Sequence, residues 1–376
     1  MIKIVDFEIH KLVLPLGRLI GDNNCQYNEM DLFCVVLKTN HGHFGWGYAE
    51  SVWNGTFQRR AWYITKLPSI KILDTHFNET WWPKLKNQNL LDLEDIRTQF
   101  QSSYPEIDRA VRLALWDLLA LEQNLPLYKI LNPLSTRTDV LAYGSILDFP
   151  LNDEEAVALT NKFKRESFKI FKVKIGAETI QRDIDRLKLI KETVGEGVHL
   201  TGDVNETWTW QKAIECIDAF EKNDIHLEYI EDPLPFDDIK GYKELTNRSS
   251  VRIIGHDYIN NFEQIKLLVE EGGIRGIRTG KDIDYSLQCI ALAKKHDLPV
   301  YLGNSIFEIN IHLGLAFDQV NRLEYSFLKW NDLIKEPIIF KNGKGQAPLN
   351  IGHGLYPKND LIEKFIEVDS IQIIQQ

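Results

Sequence analysis

The chain has 376 residues, 44% hydrophobic and 26% charged, which leaves room for two domains or one large barrel with an appendage. A net charge of -10 argues against a nucleic-acid or anionic-membrane partner. No apolar run reaches membrane-spanning length, and Cys25, Cys34, Cys216 and Cys289 form no CxxC pair, so a cytoplasmic setting is expected and a thiolate metal site is not.

The opening "IKIVDFEIHKLVL" alternates apolar and polar residues and carries Asp6, Glu8 and Lys11, which predicts a strand rather than a signal peptide. "PLGRLIGDNNCQYNEM" is polar and rich in Gly and Asn, and predicts a long loop. "DLFCVVLKTN" and "HGHFGWGYAE" predict a hairpin turning at Asn40 to Gly42, with His41 and His43 solvated on the turn. Helices follow in "LEDIRTQFQSSY" and in the amphipathic "IDRAVRLALWDLLALEQ".

From about residue 140 strand-like and helical runs alternate. "VLAYGSIL", "FKIFKVKI", "VHLTGDV", "LEYIED", "VRIIGHD", "IRGIR", "PVYLG" and "RLEYSF" are separated by helical segments. Such βα units imply a parallel sheet, and eight strands close most naturally into a barrel. No G-x-G-x-x-G follows the first of them, which removes the usual signature of an open nucleotide-binding sheet. The expected architecture is α/β: a (β/α)7β barrel over residues 131–330, an α+β cap over 1–130, and a segment 331–376 returning to the cap.

Catalytic groups of such barrels stand at the C-terminal strand ends. The second strand ends at Lys172 and Lys174, the third at Asp203, the fourth at Glu231 and the fifth at Asp257. The sixth ends at Arg278, the seventh near Asn304, and the eighth carries Glu324. Alternation puts both lysines on one face, either on solvent or on the core. Three acids on successive strands form an oxygen-rich set suited to Mg²⁺, although any single one of them is as readily a helix cap. Asp232, Asp237 and Asp238 read as turn and cap residues. Glu308 and His312 read as packing or solvent residues after the seventh strand, and Arg59 and Arg60 as surface charges or as groups over the barrel mouth.

The run "KVKIG … GDVN … IEDP … HDY", with "GWGYAE", "ALWDLLA" and the "EPIIFKNG … GHGL" tail, resembles the enolase superfamily in its mandelate racemase and muconate-lactonising branch. The resemblance implies that Asp203, Glu231 and Asp257 hold Mg²⁺, that Lys174 is the general base, and that Lys172 lies beside the substrate carboxylate. It also matches Glu324 to a substrate-binding acid and Asn205 to the asparagine of the family's DxN, and it implies a small carboxylate substrate and a homo-oligomer. A second ammonium at Lys172 and a nearby Mg²⁺ should both lower the pKa of Lys174.

The pattern breaks at Arg278, where one branch of the family has a second lysine base, and around Asn304, where another has a histidine. Arginine stays protonated and is a poor base. A single base suffices to remove water from a β-hydroxy acid, and a fixed cation at Arg278 suits a distal substrate carboxylate. Dehydration of an acid sugar to a 2-keto-3-deoxy acid is therefore expected, with racemisation, epimerisation or cycloisomerisation as the alternative and a non-catalytic binding barrel behind both. The one-base argument weakens if Lys281 or His256 reaches the site.

Overall fold

The computed structural model of the chain describes residues 1–22, 26–53, 67–257, 259, 261–327, 332–358 and 360. Arg59, Arg60 and Cys25 lie outside them.

An antiparallel sheet of β1 (Ile4–Gly21), β2 (Gln26–Thr39) and β3 (Phe44–Trp53) opens the chain. The β2–β3 turn is the expected one, with Gly42 at φ 86°. The expected long loop is mostly strand, because β1 and β2 keep pairing out to Ile20–Tyr27 and Gly21–Gln26. Leu16, Ile20 and Met30 are buried in that extension and outweigh its polar composition.

The stretch before the amphipathic helix holds α1 (Ile70–Thr80) and α2 (Trp82–Leu85), neither of which was expected. They are followed by α3 (Glu94–Gln99), α4 (Pro105–Glu122) and α5 (Leu127–Leu131). Helix α4 lies on the sheet so closely that a Cβ on Gly47 would stand 1.8 Å from the Ala110 carbonyl oxygen. That contact accounts for the glycines of "GWGYAE".

The eight parallel strands β4 (Asp139–Leu147), β5 (Ile170–Lys174), β6 (His199–Asp203), β7 (Leu227–Glu231), β8 (Arg252–Ile254), β9 (Ile277–Thr279), β10 (Val300–Leu302) and β11 (Val320–Tyr325) follow in order. Strand β11 pairs with β4, and a bridge from Gly255 to Ile277 joins β8 to β9, so the sheet closes into a barrel. Helices α6 (Asp153–Arg165), α7 (Ile180–Val194), α8 (Trp210–Lys222), α9 (Ile239–Arg248), α10 (Phe262–Glu270), α11 (Ile283–Lys295) and α12 (Ile311–Ala316) alternate with them. Asn152, Thr179, Thr209, Asp238, Asn261 and Asp282 cap six of these helices with their side chains. Capping thus falls to residues other than the three strand-end acids.

The tail forms β12 (Phe340–Lys341) and β13 (Lys344–Gln346), the latter antiparallel to β4. It then runs beside α5, where the Leu127 amide donates to the Gly352 carbonyl at 2.7 Å. His353 donates its amide to Asp117 of α4 at 2.7 Å. His312 and His353 are buried, with pKa values lowered by burial to about 3 and about 4, so both are neutral packing groups.

Candidate active site

Strand β5 is covered on both faces, as parallel barrel strands are. Phe171 and Val173 are fully buried, and Lys172 and Lys174 point into the barrel mouth. The lysines therefore face inward. The Lys172 ammonium, 3% exposed, lies 3.1 Å from Asp203, 3.2 Å from Glu231 and 3.1 Å from Glu324. Lys174 donates to Asp203 Oδ2 and to Asn205 Oδ1, both at 2.6 Å.

Asp203 and Glu231 end adjacent strands in register with Lys174, and Asp257 follows β8. Each of the three has one buried oxygen without a hydrogen-bond partner: Asp203 Oδ1, Glu231 Oε2 and Asp257 Oδ1. Buried carboxylate oxygens are rarely left so, and three together fit a hard cation such as Mg²⁺. Among the described residues no three carboxylates stand as a finished coordination shell, for Lys172 and Arg278 occupy the ground between them.

Burial works against the charge on Lys174, but Asp203, with Asp22 adding to it, raises the pKa. The expected lowering counted on Mg²⁺ as well as on Lys172, and the side chains alone do not produce it. Lys172 is an opposing influence too weak to prevail over a carboxylate at 2.6 Å.

Arg278 also departs from expectation. It is 2% exposed and already engaged. Its Nη1 donates to the Tyr143 hydroxyl, Nη2 donates to Glu324, and Nε lies 3.0 Å from Glu231. A bidentate grip on a distal substrate carboxylate is not available from this arrangement. Glu324 receives Arg278, Lys172, Ser145 Oγ and, at 3.2 Å, Tyr143. Burial opposes its charge, yet Lys172 and Arg278 hold its carboxyl well below the usual range.

Asn304 lines the same cavity and accepts from Ser326 at 3.1 Å. His256 is fully buried behind Asp257 and faces the Leu234 carbonyl, away from the mouth. Lys281 does reach the mouth, with Nζ 3.7 Å from Asp257 Oδ2. Asp232 is buried at φ 48° and accepts the Asp257 amide at 3.1 Å, so it supports the site and is more than a turn residue. Asp238 is the cap it was expected to be. His41 and His43 are partly exposed but paired with Glu122 at 2.9 and 3.0 Å.

The cavity above these groups measures about 890 Å³ and lies between the barrel mouth and the N-terminal layer. Asp148, at the end of the first barrel strand, joins the two parts. It accepts from Arg18 at 3.2 Å and from the Gly21 amide at 3.1 Å. Tyr143 and Ser145 were missed in the sequence because hydroxyls within a strand give no charge signal, and Asp148 because the reading of strand ends began at the second strand.

The enolase C-terminal domain-like family model matches residues 155–361, more than half of the chain. The chain belongs to the enolase superfamily, in its mandelate racemase and muconate-lactonising branch. It is 25% identical to a 3,6-anhydro-alpha-L-galactonate cycloisomerase of Streptomyces coelicolor, over 94% of this chain and 96% of that one. It is 28% identical to an arabinonate dehydratase of Saccharolobus solfataricus, over 90% and 91%. An L-Ala-D/L-Glu epimerase of Francisella tularensis subsp. novicida is 24% identical over 72% and 73%.

Among solved structures, a Mesorhizobium loti protein provisionally named a mandelate racemase superposes with a TM-score of 0.88 at 27% identity, covering 97% of this chain and 95% of its own. An L-talarate dehydratase of Polaromonas, crystallised with Mg and L-glucarate, superposes with a TM-score of 0.81 at 20% identity, covering 98% of each. Among the described residues of this superfamily member, no helix is long and apolar enough to cross a membrane.

Proposed function

We propose that the protein removes the proton α to the carboxylate of a sugar acid, most specifically to eliminate water and give a 2-keto-3-deoxy acid. The observation that carries this is the convergence of Lys172 and Lys174 on Asp203 and Glu231, which together with Asp257 keep partnerless buried oxygens at three successive strand ends. Coverage supports the substrate class. The cycloisomerase and the dehydratase, both named for sugar acids, match over at least 90% of this chain, whereas the epimerase matches over 72%.

Asp203, Glu231 and Asp257 would hold Mg²⁺, which supplies positive charge for the ene-diolate. Lys174, as the amine, takes the α-proton, and the C–H electrons move into the ene-diolate. The β C–O bond breaks, its oxygen takes a proton from solvent to leave as water, Lys174 returns its proton to solvent, and the enol becomes the keto acid. Lys172 sits where it can face the substrate carboxylate, and Arg278 with Glu324 braces the floor beneath. Asn205 orients Lys174, and Asn304 offers a polar group to the substrate. In this reading residues 1–130 cap the barrel of 131–330, and 331–376 tie back to the cap.

The second reading is two-sided proton transfer, as in epimerisation or cycloisomerisation, and the position of Lys281 in the mouth favours it. Sugar mono- and diacids incubated with protein and Mg²⁺ separate the two. Keto acid that disappears in Lys174→Ala supports dehydration, and a diastereomer without keto acid supports the second reading.

A further inference from the structure

The wall of the cavity facing Lys174 carries a second lysine. Lys174 ends β5, the second of the eight barrel strands. Strand β9 is the sixth, four strands away in either direction around the closed barrel, and so stands directly opposite. The residue that ends its core, Arg278, is committed to Glu324, Glu231 and Tyr143 and is 2% exposed.

Two residues on, the chain turns back toward the mouth. Gly280 adopts φ 132°, and a Cβ there would stand 2.3 Å from Asn310 Nδ2, so the turn is built for glycine. The next residue is Lys281, whose side chain is 32% exposed and lines the cavity together with Lys174. The residue after that, Asp282, is fixed from two sides. It caps α11 through the Tyr285 amide at 3.0 Å and accepts Arg112 of α4 at 2.6 Å. Lys281 thus rests on a braced turn. Its Nζ lies 3.7 Å from Asp257 Oδ2, beyond hydrogen-bond length but within ionic range.

Resting on the proton-abstraction reading above, we infer that Lys281 is a substrate-binding residue that holds, as a fixed cation, the oxygen on the carbon next to the α-carbon. Lys174 acts on the α-carbon from one wall, and Lys281, beside Asp257, receives the neighbouring oxygen on the other. Substrates are thereby restricted to acids oxygenated at that carbon. The C–H bond breaks toward Lys174, and the positive charge at position 281 stabilises the oxygen as it departs as hydroxide, which takes a proton from solvent to become water.

The test compares the wild-type protein with Lys281→Met, Lys281→Arg and Lys174→Ala in D₂O with Mg²⁺ and either D-gluconate or L-glucarate. Proton NMR reads deuterium at the α-carbon of recovered substrate, and keto acid is measured separately. Lys281→Met should lower keto acid formation roughly 100-fold, the scale of losing one charge-stabilising donor, while α-deuterium still enters. Lys281→Arg, which keeps the charge, should restore product to within roughly tenfold of wild type.

Unchanged product in Lys281→Met overturns the assignment. So does Lys281→Arg failing as badly as Lys281→Met, because a fixed charge would then be insufficient. Loss of α-exchange in Lys281→Met overturns it as well, since the residue would then serve the α-carbon. Failure of the wild type to exchange or to form keto acid from either substrate overturns the parent reading instead, and this one with it.

Discussion

Arg278 and Glu324 meet across the barrel floor from the sixth and eighth strands, each almost fully buried and each with a second opposite charge at hand. In the sequence Arg278 looked like a group waiting for a substrate. In the structure it is half of an internal ion pair, and the partner acid is charged rather than available as a proton donor.

Breaking that pair from one side should be costly. Arg278→Ala leaves Glu324 and Glu231 buried with less compensation, and a loss of about 3–5 kcal/mol is expected. Replacing both members, as in Arg278→Met with Glu324→Leu, should recover part of it. Urea unfolding of the two singles and the double measures the coupling directly, and additive losses would refute it.

Lys174→Ala should abolish deuterium uptake at the α-carbon by a factor of about 10² to 10⁴, the usual contribution of a positioned base. The fold should remain, because Lys172 still faces Asp203 at 3.1 Å. Circular dichroism beside the NMR assay distinguishes a missing base from an unfolded barrel.

Mg²⁺ should raise the melting temperature, by an amount equivalent to about 2.7 kcal/mol at a hundred times its dissociation constant. Asp203→Asn removes one of the three carboxylates that keep a partnerless oxygen and should flatten that response. A melting curve indifferent to Mg²⁺ and to chelator would count against the metal assignment without any reference to substrate.

Stability should carry a pH signature from Asp117, which lies under Trp46, His353 and Tyr356. Burial pushes its pKa up to about 7, against the pull of those three donors. The folded state then holds this proton more tightly than the unfolded chain. The resulting stabilisation is full below about pH 4 and is lost as pH rises through about 7, at up to about 1.4 kcal/mol per unit. Asp117→Asn should remove that slope from urea unfolding measured across the window, and a slope that persists would point to another group.

Asp148 should act on binding more than on chemistry. It holds Arg18 and Gly21 of the β1–β2 hairpin but belongs to the barrel. In Asp148→Ala, KM is expected to rise roughly tenfold with kcat little changed, the pattern of lost uniform binding. Faster limited proteolysis near Arg18 would accompany it. An intact hairpin with unchanged KM would remove the latch from consideration.

Much of the barrel could be read from the sequence, because eight apolar strands separated by helical runs leave few alternatives. The strand-end charges were legible for the same reason, as Lys172, Lys174, Asp203, Glu231 and Asp257 all fall where the rhythm stops. What the sequence hid were pairings between distant strands. Nothing near Arg278 announces Tyr143 or Glu324, and nothing in "TGKDID" says that a glycine turn brings Lys281 back over the mouth. The β1–β2 extension was misjudged because Gly17, Gly21 and the asparagines read as loop, although three apolar side chains there find a buried face.

Helix α4 is bolted on both sides. One face lies directly on the backbone at Gly47, and from the other Arg112 reaches Asp282 while Arg97 of the neighbouring α3 and Trp116 reach Asp284. One buried and one half-buried ion pair, with a helix seated on glycine, clamp the N-terminal layer to the barrel along this seam. Traffic into the cavity must then pass by a local parting of its rim, as through a hatch in a riveted hull, and substitutions along the Arg97–Asp284 seam should alter how firmly the walls stand rather than how the door swings.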